Sequence, residues 1–331
     1  MPILFKRNQK ILLLVLVLIF LIIFDYISSH ISITWDDNNY KVLKKESEID
    51  YSFQKVKVLC WIQTFLYNHD RKAIHVKATW TKRCDKLIFM SNKKDDSLGS
   101  IDLGIADGHQ WLWNKTRTAF KYIYENHKDE YDWVLKADDD TYLIMENLKF
   151  MLQAYEPNTP IHLGSKFKLV GNQSWFSGGS GYVLSRKAVQ IFVEKGLKDL
   201  KKCPDTPTYA EDLEIGKCLD KFGVKAGDSR DSFGRGRFFP LTPIDHLFKG
   251  NIPRDMWYWA YVFYPIVDGP KCCSSYVISF HYIEPRKMYE LEYFIYSVKV
   301  YGKNYTHPID VMLPPDKGSV LESILKKKHA R

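Results

Sequence analysis

The stretch YDWVLKADDDTYL, residues 131–143, decides how the rest of the chain is read. Trp133, Val134 and Leu135 are apolar enough for a buried strand, which stops at Asp138, Asp139 and Asp140, with Thr141 behind them as a candidate helix cap. Three adjacent carboxylates repel one another: at ~6 Å and an effective dielectric of ~20, each ionised pair costs about 3 kcal/mol. A divalent cation would offset that cost, and hard oxygen ligands suit Mg2+ or Mn2+, which complete their shells with water and a substrate's phosphates. A solvated acidic turn is the competing reading, and the apolar strand directly upstream weighs against it.

Outward from this stretch, strands and helices alternate. Residues 56–62 predict a first strand closed by a loop over 63–69, and Asp70 is placed to cap a helix carrying Ile74, Val76, Ala78 and Trp80. Residues 87–90 predict a second buried strand. Leu112, Thr116, Ala119 and Ile123 recur at helical spacing within 109–127, with Phe120 beside them, and Ile144, Leu148, Met151, Leu152 and Tyr155 do the same after the triplet. This order points to a parallel α/β sheet, in which ligands sit beyond the carboxyl ends of the strands, where the triplet falls.

Residues 161–164 predict another strand. The turn WFSGGSGY, 175–182, carries Gly178, Gly179 and Gly181, which allow positive φ and close backbone approach to a ligand, or make an ordinary hairpin. It is not a P-loop, because no Gly-Lys-Ser/Thr follows in frame. Glu211 and Asp212 fall at a helix start, where they either complement the macrodipole or supply a general base. The aromatic run 256–264 includes Trp257 and Tyr258, rings that either fill a core or stack on a sugar face. Residues 277–282 predict a strand ending at His281, an imidazole suited to Mn2+ beside carboxylates. Met288, Leu291, Ile295 and Val298 mark a last helix stopping near Gly302.

With 331 residues and no low-complexity linker, the chain reads as one large folded domain. Its net charge of +9 comes without a zinc-finger, RRM or helix-turn-helix pattern, so it indicates anionic substrates rather than nucleic acid. Residues 11–24 are uninterrupted apolar and follow Lys6, Arg7 and Lys10. As a helix they reach only about 21 Å, short of a ~27 Å membrane, so the span extends towards Ile31. No A-x-A-like cleavage site follows, which favours an uncleaved signal anchor over a cleaved signal peptide. The expected layout is a cytoplasmic tail (1–10), a transmembrane helix (11–31), a polar stem (32–54), the folded domain (55–309) and a basic tail (310–331). Sequons at Asn114, Asn172 and Asn304 and an even set of six cysteines fit a lumenal domain. Proximity pairs Cys60 with Cys84 and Cys203 with Cys218. A bridge between the adjacent Cys272 and Cys273 would be strained, which leaves free thiols or another pairing open. Zinc is the alternative, but no pair of C-x-x-C units supports it.

Five ordered blocks carry a resemblance: HVKATW (75–80), KADDDTY (136–142), GGSGYVLS (178–185), EDLEIGKC (211–218) and CCSSYVISFHY (272–282). Over about residues 56–301 they resemble the core 1 β1,3-galactosyltransferases, the glycoprotein-N-acetylgalactosamine 3-β-galactosyltransferases or T-synthases, among the Fringe-like β1,3-glycosyltransferases. The resemblance implies a GT-A-like, Rossmann-like catalytic domain with a mixed central sheet behind one transmembrane helix. It implies a single-pass type II Golgi membrane protein with a lumenal domain, dimeric, moving galactose from UDP-galactose to O3 of GalNAc-α-Ser/Thr on glycoproteins with inversion. Carried over by position, Asp138, Asp140 and His281 hold Mn2+ in preference to Mg2+, and Asp212 is the catalytic base. Thr64, Arg83, Lys136, Asp139, Gly178 and Gly179 would contact the donor, and Trp257, Tyr258 and Glu211 the acceptor. One departure stands out: Thr64-Phe65-Leu66-Tyr67 replaces the family's Thr-Gly-Pro-type turn near the nucleotide. It keeps a Fringe-type transferase of another sugar pair in view. A non-catalytic lumenal chaperone-like relative would be expected to have lost the metal motif.

Overall fold

The computed structural model describes residues 56–168 and 173–300. The expected anchor, stem and C-terminal tail, and the sequons at Asn172 and Asn304, lie outside the described residues. Among those described, no helix is long and apolar enough to cross a membrane.

In chain order the strands are β1 (Val58–Gln63), β2 (Lys86–Ser91), β3 (Ser100–Asp102), β4 (Trp133–Asp138), β5 (Tyr142–Leu143), β6 (Ile161–Gly164), β7 (Lys166–Lys168), β8 (Ser174–Phe176), β9 (Tyr182–Ser185), β10 (Lys225–Ala226), β11 (Phe238–Phe239) and β12 (Ser279–Phe280). The helices are α1 (Ile74–Ala78), α2 (Leu112–His127), α3 (Met145–Leu152), α4 (Arg186–Ile191), α5 (Glu211–Lys221), α6 (Pro243–Leu247), α7 (Trp257–Tyr261) and α8 (Pro285–Tyr296). Seven strands form the central sheet in the order β10-β6-β9-β4-β1-β2-β3.

β1 is apolar throughout because both of its faces are covered. Val58, Cys60 and Ile62 join one core with Trp80, Leu148, Leu152 and Met288, whereas Leu59 and Trp61 join the other with Phe120, Ile123, Phe192 and Ile215. Trp61 is fully buried against the edge of Phe120, and truncating it to Ala would cost ~3–5 kcal/mol.

Two local expectations are corrected. The sheet is mixed, as the resemblance implied, and not parallel as the strand order alone suggested, because β9 runs antiparallel to both β4 and β6. A parallel return needs a crossover of a dozen or more residues, usually helical, and between β6 and β9 the chain folds the antiparallel β7–β8 pair instead. Asp70 caps nothing: the chain passes through a π-type turn, His69–Ala73, before α1, with no side-chain cap at its start.

Disulfides join Cys60 to Cys84 and Cys203 to Cys218, as proximity suggested. Cys272 and Cys273 bond to each other, the option that strain had disfavoured. Beside the main sheet, β11, β12 and β5 form a three-stranded sheet, and this one assembles the site.

Candidate active site

β4 ends at Asp138, and Asp139 to Thr141 turn the chain into β5. There Leu143 pairs with Ser279 and Tyr142 with Phe280 in antiparallel register, so the next residue of the partner strand, His281, folds back over Asp140. The Ile283 amide closes the junction by donating to the Asp140 carbonyl at 2.8 Å. Asp138, Asp140 and His281 thereby offer ligand atoms that all lie within 4.8 Å of one another. His281 Nε2 is 3.1 Å from Asp140 Oδ1 and 3.9 Å from Asp138 Oδ2. Nδ1 faces the Pro240 carbonyl at 3.3 Å, and since a carbonyl only accepts, a proton on Nδ1 is anchored there while Nε2 is turned to the carboxylates. Lys72 Nζ reaches Asp140 Oδ2 at 2.8 Å. Burial alone would raise the Asp140 pKa, but His281 and Lys72 outweigh it and hold the carboxyl well below its ordinary range.

Asp139 points the other way. Its Oδ2 accepts from Thr64 Oγ1 at 2.7 Å and Asn68 Nδ2 at 2.9 Å. Burial pushes this carboxyl up to about 6, against the pull of the two donors. Thr64 and Asp139, expected at the donor, are buried and hold each other. Thr141 is not a helix cap either: its hydroxyl donates to the Gly179 carbonyl at 2.8 Å, and the following helix, α3, begins only at Met145.

The second acidic cluster sits across the sheet. Lys136, on β4 and fully buried, lies 2.6 Å from Asp138 Oδ1 and 3.1 Å from Glu211 Oε1. Burial alone would lower its pKa, but these carboxylates reverse the sign and keep it charged. Glu211 also accepts from Thr116 Oγ1 at 3.1 Å and the Tyr182 hydroxyl at 3.2 Å, so it is a buried clamp and not the expected acceptor contact. Asp212, one residue on, accepts from the Gly178 amide at 2.9 Å and the Leu213 amide at 2.8 Å. Burial raises its pKa above the ordinary aspartate value, and the amides only partly offset this.

Gly178 and Gly179 sit between the two clusters, and they are needed for want of room, not for positive φ. A Cβ on Gly178 would run into the Glu211 carboxylate, and one on Gly179 into the His281 ring. Only Gly181 of this turn is left-handed, at φ 75°.

Asp212, Gly179 and His281 face one cleft of about 340 Å³, walled by Trp175, Trp257 and Tyr261 and flanked by Tyr209 and Tyr282. Trp257, 40% exposed, lines the cleft, but Tyr258 is 1% exposed and packs on the rings of His246 and Trp259, so it belongs to the core. Arg83 does not reach the cleft: it pairs with Glu292 at 2.6 Å and Glu146 at 3.3 Å, over the ring of Tyr296. Asn114 lies inside α2 with its amide nitrogen tied to the Asp205 carbonyl at 3.0 Å, which leaves that nitrogen poorly placed to carry a glycan. Sequence reasoning placed Tyr261 in its aromatic run but missed Asn68, Lys72, Trp175, Tyr209 and Tyr282. The last bore a signal only in its position after His281; its φ is 56°, a strained conformation for a bulky residue and one that sets the turn out of β12.

A carboxylate–imidazole cluster whose His281 lines an aromatic cleft, with the desolvated Asp212 on the same cleft, defines a group-transfer enzyme. A Fringe-like family profile matches residues 54–231. The chain is 47% identical over 255 residues to glycoprotein-N-acetylgalactosamine 3-beta-galactosyltransferase 1 of Xenopus laevis, a match covering 77% of this chain and 70% of that protein. It therefore belongs to the glycoprotein-N-acetylgalactosamine 3-beta-galactosyltransferase family of Fringe-like enzymes. A human beta-1,3-glucosyltransferase is 26% identical over 183 residues, covering 54% of this chain and 34% of its own length. Among solved structures, an active-site mutant of LgtC aligns at TM-score 0.43 and 12% identity, over 73% of this chain and 97% of its own. Apo mouse xyloside xylosyltransferase 1 aligns at TM-score 0.40 and 10% identity, over 68% and 97%.

Proposed function

We propose that this chain transfers galactose from UDP-galactose to O3 of GalNAc-α-Ser/Thr on glycoproteins, with inversion, on a GT-A-like domain. The observation that carries the reading is the glycine pair: Gly178 donates to Asp212 while Gly179 abuts His281, so the base and the imidazole of the cation-ligand cluster line one cleft. The 47% identity to a relative named for this activity supports it. Asp138, Asp140 and His281 fit a divalent cation, Mn2+ by the mixed oxygen and nitrogen donors, which when bound there would neutralise charge on the departing diphosphate. Asp212 takes the proton of the acceptor 3-hydroxyl as O3 bonds to the galactose C1 and the bond from C1 to the diphosphate oxygen breaks, UDP leaving with the electron pair. Its raised pKa favours that transfer, and the Gly178 amide aims the carboxylate. The rings of Trp257 and Tyr261 offer faces for a sugar.

The cellular setting is part of the same proposal: a type II anchor over residues 11–31, a Golgi-lumenal domain and a homodimer. The apolar amino-terminal run and the pairing of all six cysteines support an oxidising compartment. A second reading, a Fringe-type transferase with another sugar pair, is favoured by the exposed Leu66 and Tyr67 of the divergent turn. Retention of Asp138, Asp140, Asp212 and His281 speaks against a non-catalytic chaperone-like role.

The test offers the full chain UDP-galactose, UDP-glucose or UDP-N-acetylglucosamine with a GalNAc-α-peptide, with Mn2+ or with EDTA. Galactose alone should move, stopping with chelator and resuming on adding Mn2+. Preferential transfer of another sugar, or galactose transfer that ignores EDTA, would refute the proposal.

A further inference from the structure

On the far side of β7 and β11 from the cleft lies a second cavity, of about 140 Å³. Successive strand residues point to opposite faces, so on β7 Lys166 lines this cavity while Phe167 lines the cleft; at the other wall Phe238 and Phe239 line the cavity, and Pro240, just past β11, lines the cleft. Five cations line it: Lys166, Arg230, Arg235, Arg237 and Lys271. Two carboxylates answer them, and both are committed: Asp228 to Arg230 at 2.8 Å and Asp231 to Arg235 at 2.8 Å.

Lys166, Arg237 and Lys271 form no salt bridge with a carboxylate among the described residues. Arg237 cannot withdraw, because its carbonyl accepts from the Ile278 and Ser279 amides at 2.7 and 3.1 Å, yet its Nε is buried without a hydrogen-bond partner. Buried donors are rarely left unsatisfied. Lys166 Nζ has a lone carbonyl, Ala226, at 3.2 Å and the ring of Phe263 at 4.4 Å. Burial depresses its pKa, and the charge of Asp228, already paired with Arg230, offsets this only in part. At the lip stand Phe233, 81% exposed, and Val267, so the cavity is reachable from solvent.

We propose that this cavity is a binding site for a tetrahedral oxyanion, a sulfate or phosphate group, held by the Arg237 guanidinium and the Lys166 ammonium. The planar guanidinium matches two oxygens of such a group at once, while a flexible ammonium adds a point charge. Neither residue lines the transfer cleft, so the outcome is independent of whether galactose moves.

The test is thermal unfolding of the full chain in rising inorganic sulfate or inorganic phosphate, with ionic strength held by chloride, for the wild type, Arg237→Gln and Lys166→Gln. The wild type should gain ~2–4 °C saturably at low millimolar anion, and the stronger of the two anions names the source. Both variants should lose the saturable gain, and if Arg237→Gln does not fold, Lys166→Gln carries the comparison. An unsaturated rise of equal slope in all three proteins, the general effect of excluded salts, overturns the site, as does no rise at all.

Discussion

The acidic triplet at 138–140 and the acidic pair at 211–212 both turn one carboxylate inward, but they satisfy it differently. Asp139 is held by the neutral donors Thr64 and Asn68, and Glu211 by the buried cation Lys136. The remaining carboxylates differ in the opposite sense. Asp140 meets Lys72 and His281 and is held in its charged form, whereas Asp212 meets backbone amides and burial and is pushed towards its neutral form. An acid among cations is poised as a ligand, and an acid among amides in a desolvated wall is poised as a base. Lys136, touching both Asp138 and Glu211, ties the two clusters together.

The largest effect should come from removing the base. Asp212→Asn keeps the shape and should cut kcat ~10²–10⁴-fold in a galactose-transfer assay. Cutting the tie comes next. Lys136→Met strands two carboxylates and should destabilise the fold by ~3–5 kcal/mol in urea unfolding, with Glu211→Gln added to it recovering part of the loss. Stability unchanged by Lys136→Met would mean that the clusters are not coupled.

Gly179→Ala should push the His281 ring aside and weaken Mn2+ binding ~10–100-fold by electron paramagnetic resonance, with secondary structure unchanged by circular dichroism. The smallest effect concerns the inward acid. Asp139 is raised from 3.8 to about 6 in the folded chain, so the folded state takes its proton first as pH falls; its contribution to stability is present at low pH and is lost as pH rises through that window. Thr64→Val removes one donor to the carboxylate. It should cost about 1 kcal/mol above the window and less below it, compared by urea unfolding on both sides of pH 6.

What the sequence disclosed was whatever one element carries alone. The β4 run ending in the triplet is legible because a strand buried on both faces opens on the apolar Trp133, Val134 and Leu135 and turns acidic at the ligand edge, with Lys136 the one charged residue between. His281 and Asp212 were legible as residues within motifs, but their convergence depends on β5–β12 pairing and on β9 running antiparallel, which no local pattern states. Side-chain direction was the other hidden quantity. Tyr258 differs from Trp257 by one step around a short helix, enough to move it from cleft to core. Arg83 was drawn off by Glu292, 209 residues away in sequence, and Lys72 reached Asp140 across 68. The glycine turn was flagged for φ and for close approach to a ligand, whereas at Gly178 and Gly179 the constraint is the side chains opposite, visible only once the strands are assembled.

Mn2+-dependent binding of UDP, measured by titration calorimetry on Asp140→Asn and Asp212→Asn side by side, probes the division of labour between the clusters most directly. Asp212→Asn should bind as the wild type does, while Asp140→Asn should lose the Mn2+-dependent part. Equal loss in both, or full binding by Asp140→Asn, would contradict it.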